Sequence, residues 1–239
     1  MTTDEVDDVL VRCRDAALTF GRGPTAVVAV HGASCEVRAG DRIAVTGPSG
    51  SGKSTVLHLM AGLERVTQGE VTWPALTGRV ASHIGVVFQG PSLIPALNVA
   101  ENTALPLVLA GVPESQATQQ ALAALGHVDA ADLRHKVPDE LSGGQSQRVA
   151  VARVLAMRPR LVLADEPTGQ LDRATGQHVM DVLLAAVDDL GAALLVTTHD
   201  PSIARRLDQQ WSMSDGRLTP APRSTPRATG PTWTRENAS

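Results

Sequence analysis

The sequence predicts an α/β fold built around a largely parallel sheet, and three observations predict it. Short apolar runs recur along the chain: Asp41-Arg-Ile-Ala-Val-Thr46, Ile84-Gly-Val-Val-Phe88, Leu161-Val-Leu-Ala164 and Ala193-Leu-Leu-Val-Thr197. Runs of this length without polar alternation suit strands covered by helices on both faces. Helical spacing lies between them, beginning at Ser54 to Ala61, and a glycine-rich loop joins the first run to that helix.

Taken in order, residues 1–8 are acidic and lack a basic stretch followed by an apolar one. They read as a disordered tail and not as a secretory signal. Ala26 to Val37 carries β-branched residues and is expected as an antiparallel edge, the start of an antiparallel β subdomain. The segment from about 91 to 159 is rich in Ala, Leu and Gln and punctuated by Pro and Gly. It reads as a helical subdomain inserted between two strands, with a long helix from Gln147 to Met157. Asp215-Gly216 has the composition of a hairpin turn. Residues 219–239 are rich in Pro, Ser, Thr and Arg and are expected to stay disordered. The folded domain is thus expected to span residues 9–218.

Composition narrows the function. Net charge is -4, which gives no support to a nucleic-acid surface, so no nucleic-acid partner is expected. No apolar run approaches the ~20 residues that span a bilayer. The protein is read as soluble and cytoplasmic, with any membrane role supplied by a partner. Cys13 and Cys35 lie far apart with no Cys-x-x-Cys spacing, so two reduced and mostly buried thiols are expected.

Gly47-Pro48-Ser49-Gly50-Ser51-Gly52-Lys53-Ser54-Thr55 fits G-x-x-x-x-G-K-[ST]. Glycines let successive backbone N–H groups converge on phosphate oxygens. The helix that follows offers its unpaired N–H groups and its dipole to the same anion. Lys53, one of only two lysines in the chain, reaches the β- and γ-phosphates, and the Ser54 hydroxyl suits Mg²⁺. Alone, the motif means only nucleotide phosphate, since kinases and GTPases share it.

Leu161 to Ala164 ends in Asp165-Glu166. A carboxylate at the end of a buried strand can hold Mg²⁺ through water, the role given to Asp165. Glu166 is then placed to orient and polarise an attacking water. Leu141-Ser142-Gly143-Gly144-Gln145 precedes a helical run and suits a second anion-facing helix start, with Ser142 near the cap.

At this point the chain resembles the ATPase subunits of ABC transporters. The phosphate loop at Gly47 to Thr55, Phe88-Gln89, Leu141 to Gln145, Asp165-Glu166, Pro167-Thr-Gly-Gln-Leu-Asp172 and Thr197-Thr-His199-Asp200 occur in the family's order. The resemblance covers about Val9 to Leu218. It implies a P-loop NTPase (RecA-like) core, with ATP and Mg²⁺ as ligands. It implies a homodimer, head to tail in the ATP-bound state, with ATP held between one copy's phosphate loop and the other copy's Ser142 to Gln145. Glu166 becomes the catalytic base, and His199 contacts the γ-phosphate. Gln89 senses the γ-phosphate and the metal, and Asp172 communicates across the pair. The family stacks an aromatic residue, often Tyr, on adenine. This chain has no Tyr, and Phe20 occupies the matching place. Gln170 stands where relatives often carry Asn.

Leu93 to Pro95, Asn98-Val-Ala-Glu-Asn102 and Leu105-Pro-Leu resemble the branch serving lipoprotein release, macrolide export and the cell-division transporter. The implied partner is an integral membrane permease whose short cytoplasmic helix is gripped near Leu93 and Ile94. The ATPase would then sit on the inner face of the membrane. Amino-acid importer ATPases share some of these features and stay open as an alternative. A soluble ABC ATPase acting on nucleic acid or ribosomes is disfavoured, because Thr55 to Leu141 leaves no room for long coiled coils and there is one cassette.

Overall fold

A computed structural model describes residues 8–221. In chain order the elements are β1 (Val9–Phe20), β2 (Val27–Arg38), β3 (Arg42–Thr46), α1 (Lys53–Met60), β4 (Gln68–Thr72), β5 (Ile84–Val87), α2 (Val99–Leu109), α3 (Glu114–His127), α4 (Gly143–Leu155), β6 (Leu161–Asp165), α5 (Arg173–Leu190), β7 (Ala193–Thr198), α6 (Pro201–Ala204), β8 (Gln209–Ser214) and β9 (Arg217–Thr219). The main sheet has the order β5-β6-β7-β3-β8-β9. Its strands run parallel except β9, which returns antiparallel along β8. A second, antiparallel sheet has the order β2-β1-β4.

The parallel strands are buried on both faces, as their unbroken apolar runs require. Ala44, Val162, Ala164, Leu194 and Val196 point into one cluster, with α2, α3, α4 and α5. Ile43, Val45, Leu161, Leu163 and Leu195 point into the other, with α1 and the antiparallel sheet. The period-2 alternation of a strand thus divides one sheet between two cores. The helices α2, α3 and α4 lie between β5 and β6 in the chain, in the region expected to be helical.

Several element ends differ from the sequence reading, each for a local reason. β5 stops at Val87, and Phe88 leaves the sheet and stands 38% exposed. β6 continues through Asp165, because β7 extends alongside it and Asp165 pairs with Thr197. The helix expected from Gln147 begins at Gly143, where Ser142 and Gln145 form a capping box. Asp8, placed in the acidic tail, is tied down by an ion pair to Arg38 and by its carbonyl, which accepts from the Ala39 amide. Thr219, placed in the other tail, completes β9, and Ala221 packs on the core beyond it. The rest of both expected tails, residues 1–7 and 222–239, lies outside the described residues.

Candidate active site

β3 delivers the chain into the phosphate loop, and α1 starts directly at Lys53. Gly52 caps that helix with φ 101, and a Cβ there would lie 2.4 Å from the Ala29 carbonyl oxygen. Only glycine fits that backbone and that gap. The loop is buttressed from outside by the Asp215-Gly216 turn. Gly216 N–H donates to the Ser51 carbonyl at 3.0 Å, and His31 N–H donates to the Gly216 carbonyl at 2.8 Å. A hairpin turn far along the chain therefore links the phosphate loop to β2.

Lys53 is only 5% exposed. Its Nζ donates to the carbonyls of Gly47 at 3.1 Å and Pro48 at 3.0 Å, and lies 3.3 Å from Glu166 Oε1. The other oxygen of the same carboxylate, Oε2, lies 3.2 Å from His199 Nδ1. Glu166 thus bridges the phosphate-loop cation and the exposed imidazole. Its own φ is 43, a left-handed value that costs a non-glycine residue energy. Two bonds to one residue hold it: Glu166 N–H donates to Thr197 Oγ1 at 3.0 Å and to the Thr197 carbonyl at 3.1 Å.

Asp165 accepts from Ser54 Oγ at 3.0 Å and from Thr197 Oγ1 at 2.6 Å, both on Oδ1. Ser54 and Asp165 belong to two motifs far apart in sequence, and the fold brings them together. Their hard oxygen donors are of the kind that would hold Mg²⁺. Among the described residues, no group of three or more His, Cys, Asp or Glu could hold a metal on protein ligands alone.

A groove runs from Ser49, Gly50 and Thr55 past Lys53 and Ser54 to Gln89 and Glu166. Gln89 thereby joins the phosphate loop and the second carboxylate. Val27 and Val28 line the far wall, and both are exposed. Phe20 is the cross-strand partner of Val27 and is 46% exposed, so it is not a core residue. Glu166 and His199 also line a second concavity along Thr168, Leu171 and Arg173.

The segment Ser142 to Gln145 does not line this groove. Ser142 Oγ accepts from Gln145 N–H at 3.3 Å, and Gln145 Oε1 accepts from Ser142 N–H at 2.9 Å. Gly143 is exposed, whereas Gly144 is buried where a Cβ would lie 2.3 Å from Thr175 Cγ2 of α5. One glycine thus leaves the helix start open, and the other lets α4 approach α5. Asp172 caps α5, accepting from Ala174 N–H at 3.0 Å, Thr175 N–H at 3.1 Å and Thr175 Oγ1 at 2.5 Å. The Thr175 hydroxyl, followed by its amide, holds the Asp172 carboxyl below its ordinary range.

Sequence reasoning gave Thr197 no role of its own, nor any to His31, Val27 and Val28. Thr197 had a signal, its place two residues before His199 in a buried run. The other three had none, because only the antiparallel sheet's packing places them on the groove.

Comparison with known proteins agrees with this geometry. Residues 30–169 match the family model described as ABC transporter. The chain is 42% identical over 212 residues to the lipoprotein-releasing system ATP-binding protein LolD of Paramagnetospirillum magneticum, covering 83% of this chain and 92% of that one. It is also 42% identical over 222 residues to an uncharacterized ABC transporter ATP-binding protein of Mycobacterium tuberculosis, covering 89% and 90%. Among solved structures, the dimeric ATP-binding cassette MJ0796 in a post-hydrolysis state with ADP and Pi superposes with a TM-score of 0.77 at 32% identity, covering 87% of this chain and 96% of that one. The structure of cbiO1 from Clostridium perfringens, part of the ABC transporter complex cbiONQ, gives 0.78 at 27% identity, covering 89% of this chain and 87% of that one. With its phosphate loop, paired carboxylates and histidine assembled on this fold, the chain belongs to the ABC transporter family, as an ATP-binding and ATP-hydrolysing subunit.

Proposed function

We propose that this subunit works as a head-to-tail homodimer that drives a separate integral membrane permease of the export or lipoprotein-release type. The observation that carries the chemistry is the placement of Glu166 between Lys53 and His199. One carboxylate oxygen faces the cation that binds phosphate, and the other faces the imidazole. Glu166 accepts a proton from the attacking water as general base. Lys53 and the loop amides neutralise the phosphates, and His199 supports the γ-phosphate. Mg²⁺, when bound, screens charge on the phosphate oxygens, and Ser54, Asp165 and Gln89 are the residues that would hold it. Phe20 does not itself line the groove, but it would cover the adenine from beside Val27, supported by its exposure and by its pairing with Val27, which does line it.

The head-to-tail pairing is supported by the position of Ser142 to Gln145. This capped helix start lies outside its own chain's groove, so a second chain is needed to bring it to the nucleotide. Asp172 lies nearby, at the end of the loop that follows Glu166. The lipoprotein-release reading rests on the relatives of that name. Among the described residues no helix is long and apolar enough to cross a membrane, which fits attachment to the membrane's inner face through the permease.

Replacing Glu166 by Gln tests the chemistry. The amide keeps the shape but loses the proton acceptor, so hydrolysis should fall by ~100-fold or more while ATP still binds. ATP should then hold a dimer on size-exclusion chromatography. Unchanged turnover in the purified variant would remove Glu166 from the role of base.

A further inference from the structure

We propose that Cys13 and Cys35 form a redox-active dithiol that takes low-molecular-weight disulfides as oxidants and closes into a cross-strand disulfide between β1 and β2. The two residues are distant in sequence, but they are direct partners in the antiparallel register. Directly opposed side chains leave the same face of such a pair, with Cβ atoms about 4.5–5.5 Å apart. A disulfide spans about 3.5–4.5 Å between Cβ atoms, so closure asks only a small approach. The ladder shifts register between Cys13 and Ala16, where Asp15 takes a left-handed φ of 46. That irregularity gives the strands room to adjust.

Both thiols are free and line one cavity of about 390 Å³, together with Arg12, Trp211, Pro220 and Ala221. Their accessibilities differ. Cys13 is 3% exposed, while Cys35 is only partly buried. This sets the order of events. The Cys35 thiolate attacks one sulfur of a small disulfide and expels the other half as thiolate. Cys13 then loses its proton to solvent, and its sulfur attacks the Cys35 sulfur, expelling the second half. Two cysteine thiols and one disulfide become one protein disulfide and two small thiols, with two electrons passed to the oxidant. Hydrogen bonding to Cys13, then burial, raise the Cys35 pKa above its ordinary value. The first step therefore quickens as pH rises, because the thiolate is the nucleophile. In a reducing compartment the pair rests as two thiols.

The reduced full-length protein is freed of reductant and incubated with oxidised glutathione. Thiols are counted, and peptides are mapped by mass spectrometry before and after dithiothreitol. The wild type should lose both thiols and gain a linked pair of peptides around 13 and 35, reverting fully on reduction. Cys13→Ser should trap glutathione on Cys35, and Cys35→Ser should leave Cys13 unmodified. A glutathione adduct that persists on Cys35 in the wild type would overturn the proposal. So would a link between two chains, or two thiols that stay unreacted while free cysteine is oxidised. The wild-type map decides the matter even if a serine variant folds poorly.

Discussion

At the residue scale, the site depends on Thr197. It is fully buried, and its single hydroxyl donates to Asp165 and accepts from the Glu166 amide. It therefore fixes the orientation of one carboxylate and the backbone of the next. Thr197→Val keeps the shape and removes the hydroxyl. Leaving a buried carboxylate oxygen short of one partner should cost about 1–3 kcal/mol of stability. The loss of orientation should lower kcat by about ten- to a hundredfold. Thr197→Ser should recover most of both. Steady-state kinetics and thermal melts check the pair, and a Val variant with wild-type kcat would reduce Thr197 to packing. Lys53, Asp165 and Glu166 were legible as candidates because each lies in a contiguous motif. Thr197 was not, because its importance lies in which strand runs beside β6.

At the element scale, the loop ahead of α2 is held by its own side chains. Asn102, fully buried, accepts from Ile94 N–H at 2.8 Å and donates to the carbonyls of Ile94, Leu97 and Asn98. Arg153 of α4 donates to the carbonyls of Ser92 and Pro91. Leu93 packs against the helical core, whereas Ile94 is 39% exposed. The two residues expected to share one permease groove are thus divided. Ile94→Asp should leave the fold and basal ATPase within a few-fold of wild type and abolish co-purification with the permease. Leu93→Asp should lower the melting temperature, because it buries a charge among apolar groups. Normal permease capture by Ile94→Asp would move the docking surface elsewhere. The sequence showed this segment as apolar and turn-rich, but the choice of which side chain turns inward rests on Asn102, a contact no periodicity reveals. β1 was harder to read. Its 12 residues are broken by Arg14-Asp15, and its register slips there, so the alternation that marks a strand is lost.

Acid stability also belongs to this scale, since it follows from caps and cross-strand pairs. Asp172 is held below its ordinary 3.8 by Thr175, and Glu36 below its ordinary 4.5 by the hydrogen bond from Arg12, with Arg38 adding. A lowered folded pKa means the unfolded chain binds the proton more tightly. The stabilisation is complete above the unfolded values and is lost as pH falls through the folded ones. Melting temperature should therefore drop below about pH 4.5, and Glu36→Gln should flatten that limb. At neutral pH the same substitution should cost only ~0.5–1 kcal/mol, because the pair is screened by solvent. An acid limb identical to wild type would exclude Glu36 from it.

At the scale of the whole molecule, the decisive feature is a separation. The phosphate loop with its carboxylates opens on one groove, and the Ser142 helix start faces solvent elsewhere, on α4 packed against α5. Both are helix starts, where N–H groups without an intrahelical partner and the helix dipole favour an anion. In the proposed head-to-tail pair both would be used, twice over, because the two-fold axis repeats each contact. Ser142→Asp isolates this point. Aspartate caps a helix about as well as serine, so α4 and the fold should hold. The added carboxylate would, in the dimer, stand against the partner's polyphosphate. In the Glu166→Gln background, where ATP should hold the dimer together, Ser142→Asp should return the protein to monomer on size-exclusion chromatography. The affinity of that monomer for a fluorescent ATP analogue should stay within about twofold of the parent, because Ser142 does not line its own chain's groove. Ser142→Asn, capped but uncharged, should keep more of the dimer than the aspartate variant. A Ser142→Asp protein that still dimerises with ATP would show that the pairing buries some other face.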